Sequence, residues 1–293
     1  MILVTGATGR IGRAVVAKLI NEHGVVPRVL VRDRAKATAV LPDQVECIEG
    51  DFDNRDKLAA AFDGIARAML LSPVHPRQVE WQGRAVEAAA PETHLVKISG
   101  LGTGLDSYVQ SGLWHAQTEA QIERAGNPFT FLRPYFFMQN LAFQIDVVRR
   151  QGVIRSGVGA ARIAMVDVDD IAAVVAGVLA GKIDLTNQAC PLTGGQALDY
   201  RDMAGEFAHV LGRPVEYQEQ SLDEIRANLQ RGDMPAWHVE IILQFNRAFS
   251  EGWASQVDDT VARMLGRPPR SLGQFLADQM GGDGPSDSNP FPN

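Results

Sequence analysis

Hydrophobic and polar positions along the first 133 residues alternate between two rhythms. Met1-Ile2-Leu3-Val4-Thr5 is a continuous apolar run, the pattern of a parallel strand buried on both faces. Residues 10–22 follow a different period. Ile11, Val15 and Leu19, with Val16 and Ile20, recur at helical spacing, and Gly24 ends the helix. Short β-branched runs predict further strands at 26–31, 45–48, 66–71, 94–98 and 129–132. Amphipathic stretches predict helices at 34–40, 55–62, 77–90 and 112–125. Strand and helix alternating this many times predict an α/β fold, a doubly wound parallel sheet with right-handed crossovers.

After Arg133-Pro134 the rhythm loosens. Residues 136–150 read as a helix, and Gly152, Gly157 and Gly159 mark a loop. Residues 163–166 read as a short strand leading into a helix with Asp167 or Asp169 near its start. Pro191 to Gly195 end another strand, Asp199 caps a helix over 200–211, and 215–217 is a strand. From Ser221 onward the pattern is almost wholly helical. Trp237, Phe245, Phe249 and Trp253 recur there near helical spacing, a stripe that reads as core or interface.

The most informative stretch is Thr5-Gly6-Ala7-Thr8-Gly9-Arg10-Ile11-Gly12, because it follows a strand and opens a helix. Gly6 permits a tight turn, Gly9 lets backbone amides approach a pyrophosphate, and Gly12 lets the helix pack closely. The helix N-terminus adds free N–H groups and partial positive charge for the phosphates. An NAD site places an acidic residue about 20 residues beyond this loop. Here that place falls at Arg32, followed by Asp33 and Arg34. Guanidinium groups suit a 2′-phosphate through bidentate, charge-assisted hydrogen bonds, and Arg10 can lean over the same group. NADP(H) is therefore the expected cofactor; a shift of one position would make Asp33 a ribose ligand and favour NAD(H). At the end of the third strand, Asp51 can accept from an adenine amino group beside an apolar face of Phe52. Its other reading is a helix cap.

The chain is expected to comprise a dinucleotide-binding domain over 1–150 and a mixed, mainly helical substrate lobe over 151–280, some of whose strands rejoin the first domain. Residues 281–293, rich in Gly, Pro, Asp and Ser, are expected to form a disordered tail. The chain carries a net charge of −7, which argues against a nucleic-acid footprint. No run of about 18 apolar residues marks a membrane span. A first strand starting at Met1 leaves no room for a signal peptide, so the cytoplasm is the expected location. Cys47 and Cys190 are the only cysteines; they read as separate buried thiols in a reducing compartment. No metal site is expected.

The TGxxGxxG form of the loop resembles the short-chain dehydrogenase/reductase superfamily. Other segments narrow the resemblance to its atypical NmrA-like branch. They are Val31-Arg32-Asp33-Arg34-Ala35-Lys36-Ala37, Gly50-Asp51, Val96-Lys97-Ile98-Ser99-Gly100-Leu101-Gly102 and His115-Ala116-Gln117-Thr118-Glu119. Phe129-Thr130-Phe131-Leu132-Arg133-Pro134, Phe137-Met138-Gln139-Asn140 and Val166-Asp167-Val168-Asp169-Asp170-Ile171-Ala172 complete the set. The resemblance implies a Rossmann domain binding NAD(P) and a small C-terminal lobe closing over substrate. It also implies one of two functions: reductase of quinones, dyes or phenolic and other conjugated molecules, or regulator that binds the dinucleotide without turnover.

The superfamily's usual Tyr-x-x-x-Lys dyad is absent, since Ser111 stands in the tyrosine place and His115 in the lysine place. Tyr108 is followed four residues on by Gly112. His115 is a candidate acid, able to carry a proton near neutral pH, or a holder of the nicotinamide ribose. Glu119 lies one turn on, where the two can orient each other or form a plain surface pair. Lys97 reads as a base or as a strand lysine snorkelling to solvent. The carboxyl ends of the strands nominate Ser72, Pro73, Ser99, Gly100 and Pro134 for the cofactor crevice. Tyr135 is a second catalytic candidate, and with Phe136, Met138 and Asn140 it would wall an apolar pocket for a flat aromatic substrate. The favoured reading is an NADPH-dependent oxidoreductase of a quinone-like or conjugated molecule; the alternative is a non-catalytic NADP(H)-binding redox sensor. An epimerase or lyase is a more distant reading. A homodimer is common for such folds.

Overall fold

The computed structural model describes residues 1–232 and 234–281. In chain order the elements are β1 (Ile2–Val4), α1 (Arg10–Asn21), β2 (Arg28–Val31), α2 (Arg34–Thr38), β3 (Glu46–Glu49), α3 (Arg55–Phe62) and β4 (Arg67–Leu70). There follow α4 (Gln78–Ala88), β5 (His94–Ile98), α5 (Gln110–Ala125), β6 (Phe129–Pro134), α6 (Ala142–Gln151), β7 (Val153–Ser156), α7 (Val168–Leu179) and β8 (Gln188–Leu192). The last are α8 (Tyr200–Leu211), β9 (Glu216–Glu219), α9 (Leu222–Arg231), α10 (Ala236–Ser250), α11 (Thr260–Leu265) and α12 (Leu272–Gly281). Gly281 thus closes a helix, and the rest of the expected tail, 282–293, lies outside the described residues.

The chain forms two compact units. The first holds Met1–Ser107, Ser111–Pro134 and Val168–Leu192. Its sheet has seven parallel strands in the order β3-β2-β1-β4-β5-β6-β8. This is the doubly wound α/β architecture, with strand order reversing between β1 and β4, the place where such sheets open a ligand crevice. Strands β1, β2 and β5 are buried along their whole length, which suits the apolar run of β1 and takes Arg28, His94 and Lys97 of the other two out of solvent. Leu3, Leu70, Leu95 and Phe131 share one core cluster with Leu58 and Phe62 of α3, Ala85 and Val86 of α4 and Ile122 of α5. Strand side chains alternate between faces, so Lys97 and Ser99 share that helix-covered face with Leu95. Helices α1 and α7 pack together, and Lys18 of α1 reaches Asp169 in the first turn of α7 at 3.0 Å.

The second unit holds Tyr108–Gln110, Tyr135–Asp167 and Thr193 onward. Here the elements depart from the sequence expectation in three places. The glycine-marked loop contains β7, which pairs in parallel with β9; Gly152 sits left-handed at φ +69° and turns the chain out of α6 into that strand. The apolar run 163–166 is buried but is no strand, being joined by isolated bridges of Ile163 to Leu198 and Val166 to Phe137 and by the Ala164 N–H to the Ala254 carbonyl. The helix expected over 136–150 starts late. The backbone at Phe137 is extended, with the Met138 N–H and the Phe136 carbonyl bonded to Val166, so a 3₁₀ turn (Met138–Leu141) precedes α6. The aromatic stripe packs inside this unit: Phe249 meets Phe136 edge-on at 5.4 Å and Phe245 at 5.7 Å.

Candidate active site

The glycine loop is built by close approach. Gly6 is left-handed at φ +64°, and Gly9 N–H donates to the Gly6 carbonyl at 3.0 Å. A Cβ on Gly12 would lie 2.1 Å from the Gly6 carbonyl oxygen and 2.7 Å from Ala7 Cα, so the contact that demands glycine is with the loop backbone. Gly9 begins α1 with extended backbone and no side-chain cap, and the first turn contains no acidic residue. That leaves a helix N-terminus electrostatically open to an anion. Thr8 is exposed and Ile11 buried. The Thr5 hydroxyl faces inward, tying β1 to β4 through the Leu71 N–H at 2.9 Å and the Met69 and Leu71 carbonyls at 3.0 and 2.9 Å. Thr5 therefore supports the loop through its side chain.

At the end of β2 the three charged residues separate. Arg32 is exposed. Asp33 caps α2, its carboxylate accepting from the Lys36 N–H at 3.0 Å, and that bond holds its carboxyl below the usual range. Arg34 donates to the Cys47 carbonyl at 2.6 Å and lines a crevice of about 180 Å³ with Thr38, Leu41 and Cys47. Cys47 is half-buried and only Cys190 is buried, a correction to the expectation of two buried thiols. Asp51 accepts from the N–H groups of Asp53 and Asn54 at 2.9 and 3.1 Å, and the cap of α3 is Asn54. Phe52 packs against the core. Ser72 is buried and accepts from Gln82 at 2.7 Å, while Pro73 is exposed.

The C-terminal end of β5 holds a buried polar network. Lys97 has no exposed surface, so it does not snorkel. Its Nζ donates to the Ile98 carbonyl at 3.0 Å and lies 3.1 Å from His115 Nδ1. Gln78 Nε2, on α4, reaches the same nitrogen at 3.0 Å. With Lys97 as the ammonium and the Gln78 NH₂ turned toward the ring, both neighbours donate, so Nδ1 accepts and the ring hydrogen sits on Nε2. The Nε2 edge faces Gly100, where a built Cβ would stand 3.7 Å away. Burial, helped by Lys97 and Arg133, holds His115 well below the usual imidazole range. That direction runs against the expectation that His115 takes up a proton near pH 7 and favours the neutral ring, whose hydrogen, with Nδ1 accepting, is offered from Nε2. Burial also pushes Lys97 down to about 7, opposed by the charge of Glu119.

Glu119 does not orient His115. Its carboxylate accepts from the Ser99 hydroxyl at 2.7 Å and from Arg133 Nε at 3.2 Å, a bidentate pair with only 6% of the Glu119 side chain exposed. Pro134 lies at the end of β6, its carbonyl accepting from the Leu101 N–H at 3.0 Å. Tyr135 begins the second unit, where burial and the Asp258 charge raise its phenol.

A model of the NmrA-like family matches residues 1–267. This chain belongs to the NmrA-like family. An NAD(P)H azoreductase from Xenophilus azovorans is 34% identical to it over 277 residues, covering 94% of this chain and 96% of that relative. Two solved structures share the fold. The NADPH-dependent quinone oxidoreductase of Escherichia coli, complexed with NADPH, superposes with a TM-score of 0.86 at 23% identity over 95% of this chain and 99% of that one. The triphenylmethane reductase of Citrobacter sp., complexed with NADP(H), gives 0.85 at 24% identity, with coverage of 95% and 99%.

Within this NmrA-like chain, sequence reasoning missed Gln78 and Gln82 as inward-facing groups and left Lys97 open. A signal existed for the first two. They fall at helical spacing with Ala85 and Val86, on the buried face of α4. For Lys97, alternation along β5 placed it with Leu95 on one face, but only the sheet's position between helices shows that face to be dry.

Proposed function

We propose that this chain is an NADPH-dependent oxidoreductase that transfers hydride to a quinone-like or dye-like aromatic molecule. The observation that carries the cofactor half is the loop. Gly12 has no room for a side chain, and the helix it opens presents an uncapped, acid-free N-terminus. The second half of the reading draws on the azoreductase relative, which spans nearly the whole chain, and on the exposed Arg32 beside an Asp33 already committed as a helix cap. When bound, the dinucleotide supplies hydride. Gly6, Gly9, Gly12 and the start of α1 hold its pyrophosphate, with Arg32 and Arg10 assigned to a 2′-phosphate. The adenine end is assigned to Asp51 and Phe52, and the far end to Ser72, Pro73, Ser99, Gly100 and Pro134. His115 presents an N–H from a half-buried ring oriented through Nδ1 by Lys97 and Gln78, and such preorganised donors contribute strongly where water is excluded.

The test is calorimetric titration of wild type and Arg32→Ala with NADPH, NADP⁺, NADH and NAD⁺, followed by steady-state assay with quinones and dyes. NADPH is expected to bind best. Loss of a charge-assisted pair of about 1.5–3 kcal/mol predicts a weakening of roughly ten- to a hundredfold in the variant, with NADH affected little. Equal binding of NADH and NADPH by the wild type would overturn the cofactor assignment. A second reading, a dinucleotide-binding redox sensor, is favoured by the Ser111 and His115 that stand in the places of the usual dyad. It expects tight binding, a large difference between oxidised and reduced cofactor, and no turnover. Under the reductase reading the substrate is a small molecule. Among the described residues no helix is long and apolar enough to cross a membrane, and the cytoplasm and a homodimer remain part of the proposal.

A further inference from the structure

We propose that Lys97 and His115 form a buried proton relay, in which Lys97 is the proton source and the imidazole passes a proton outward from Nε2. This inference rests on the reductase reading and adds to it the origin of the proton. The geometry supplies the argument. Lys97 has no exposed surface, and its two hydrogen-bond partners are the Ile98 carbonyl and His115 Nδ1. A carbonyl oxygen cannot take up and pass on a proton at neutral pH, so exchange between Lys97 and the outside runs through the ring. His115 is half-buried, and its Nε2 edge lies toward the half-buried Gly100 at the end of β5. One nitrogen of the ring therefore faces a proton source and the other faces the strand end where ligands of such sheets bind.

The charges around the pair fit this role. Glu119 on α5 and Arg133 on β6 face each other in a bidentate pair, α4 contributes the neutral Gln78, and Leu70 of β4 is the sheet neighbour of Lys97. No carboxylate bonds Lys97 directly among the described residues, so its proton is not locked in an ion pair. Burial brings Lys97 to about 7, a range suited to giving up a proton at neutral pH. The step balances as follows. A hydride from NADPH, which ends as NADP⁺, adds to a quinone and leaves an oxygen anion. The Nε2–H bond breaks as a new O–H bond forms, while Nδ1 gains a proton from the Lys97 ammonium, whose N–H breaks. The products are a hydroquinone, an Nδ1–H imidazole and a neutral amine. Uptake of a solvent proton at Nε2 and return of the Nδ1 proton to Lys97 restore the starting state.

Two acceptors separate proton delivery from hydride transfer. A soluble naphthoquinone needs both, whereas a cationic triarylmethane dye takes hydride alone. In Lys97→Met, near-isosteric and apolar, the ratio of quinone to dye kcat is expected to fall about a hundredfold, the lower end for a general acid. In the wild type the quinone rate should decline as pH rises through about 7, and the variant should lack that limb. A parallel loss on both acceptors, or an unchanged pH profile, would overturn the relay. An independent reading comes from ¹⁵N NMR of histidine-labelled protein without ligand. The His115 Nδ1 resonance is expected to shift with a midpoint near 7 without formation of imidazolium, and to stay flat in Lys97→Met. An Nδ1–H ring at low pH in the wild type sinks the proposal. Turnover of neither acceptor by the wild type would fail the reductase reading instead, and the NMR titration then decides the Lys97–His115 coupling alone.

Discussion

A lysine with no solvent contact loses hydration that a single carbonyl and an imidazole replace only in part, so its neutral form gains relative to the cation. The consequence is a stability signature at Lys97. Its folded value, about 7, lies below its unfolded one. Between these values the unfolded chain binds more protons, so this residue's contribution makes stability rise with pH from about 7 toward 10. Lys97→Met removes the contribution. Urea unfolding across that range should show the variant gaining on the wild type as pH falls from 10 to 7, and a constant gap would show that Lys97 is not held neutral. Gly12 sets an opposite kind of constraint, one of space. A methyl group 2.1 Å from a carbonyl oxygen must push α1 off the loop. Gly12→Ala is expected to lose measurable NADPH binding and lower the melting temperature, where the same change at Gly205 inside α8, with nothing within 4 Å, should leave binding unmoved and raise the melting temperature slightly.

Helix ends show how one residue type takes different work at different places. Asp199 starts α8 with a capping box, accepting from the Arg201 and Asp202 N–H groups at 2.8 and 2.9 Å. Asp199→Ala should cost about 1 kcal/mol in urea unfolding and leave cofactor affinity alone. Helix α1 has no such cap, as suits an end whose N–H groups are kept for a ligand. Asp33, which a shift of one position would make the ribose ligand, caps α2 with its carboxylate. Spacing cannot separate Arg32 from Asp33, because they are adjacent; the start of a helix one residue later gives Asp33 a local role that Arg32 lacks. Nor does helical spacing of His115 and Glu119 make them partners. A salt-bridged arginine on β6 draws Glu119 away, and a residue so distant in sequence leaves no trace in the periodicity of α5.

At the scale of the molecule, the first unit is discontinuous. Its sheet ends in β8 and its α1 packs on α7, both supplied by residues after 167. A fragment of residues 1–150 would uncover the face of α1 that packs on α7 and would leave β6 as a bare sheet edge. It is expected to be insoluble or to lack sharp unfolding, as read by circular dichroism melts; a cooperative transition would show the first six strands to be self-sufficient. What the sequence by itself determined is the α/β alternation, the parallel sheet, the glycine loop and its helix, since each rests on local period or on residues within one turn of each other. The family resemblance was legible for the same reason, through short contiguous motifs. Only the tertiary structure decided that 163–166 is bridged rather than a strand, that β7 fills a glycine-rich stretch, that Arg34 turns to Cys47, and that Lys97 and His115 meet in a dry site. These depend on which face of an element is covered and by what, and burial of that kind is set by distant parts of the chain.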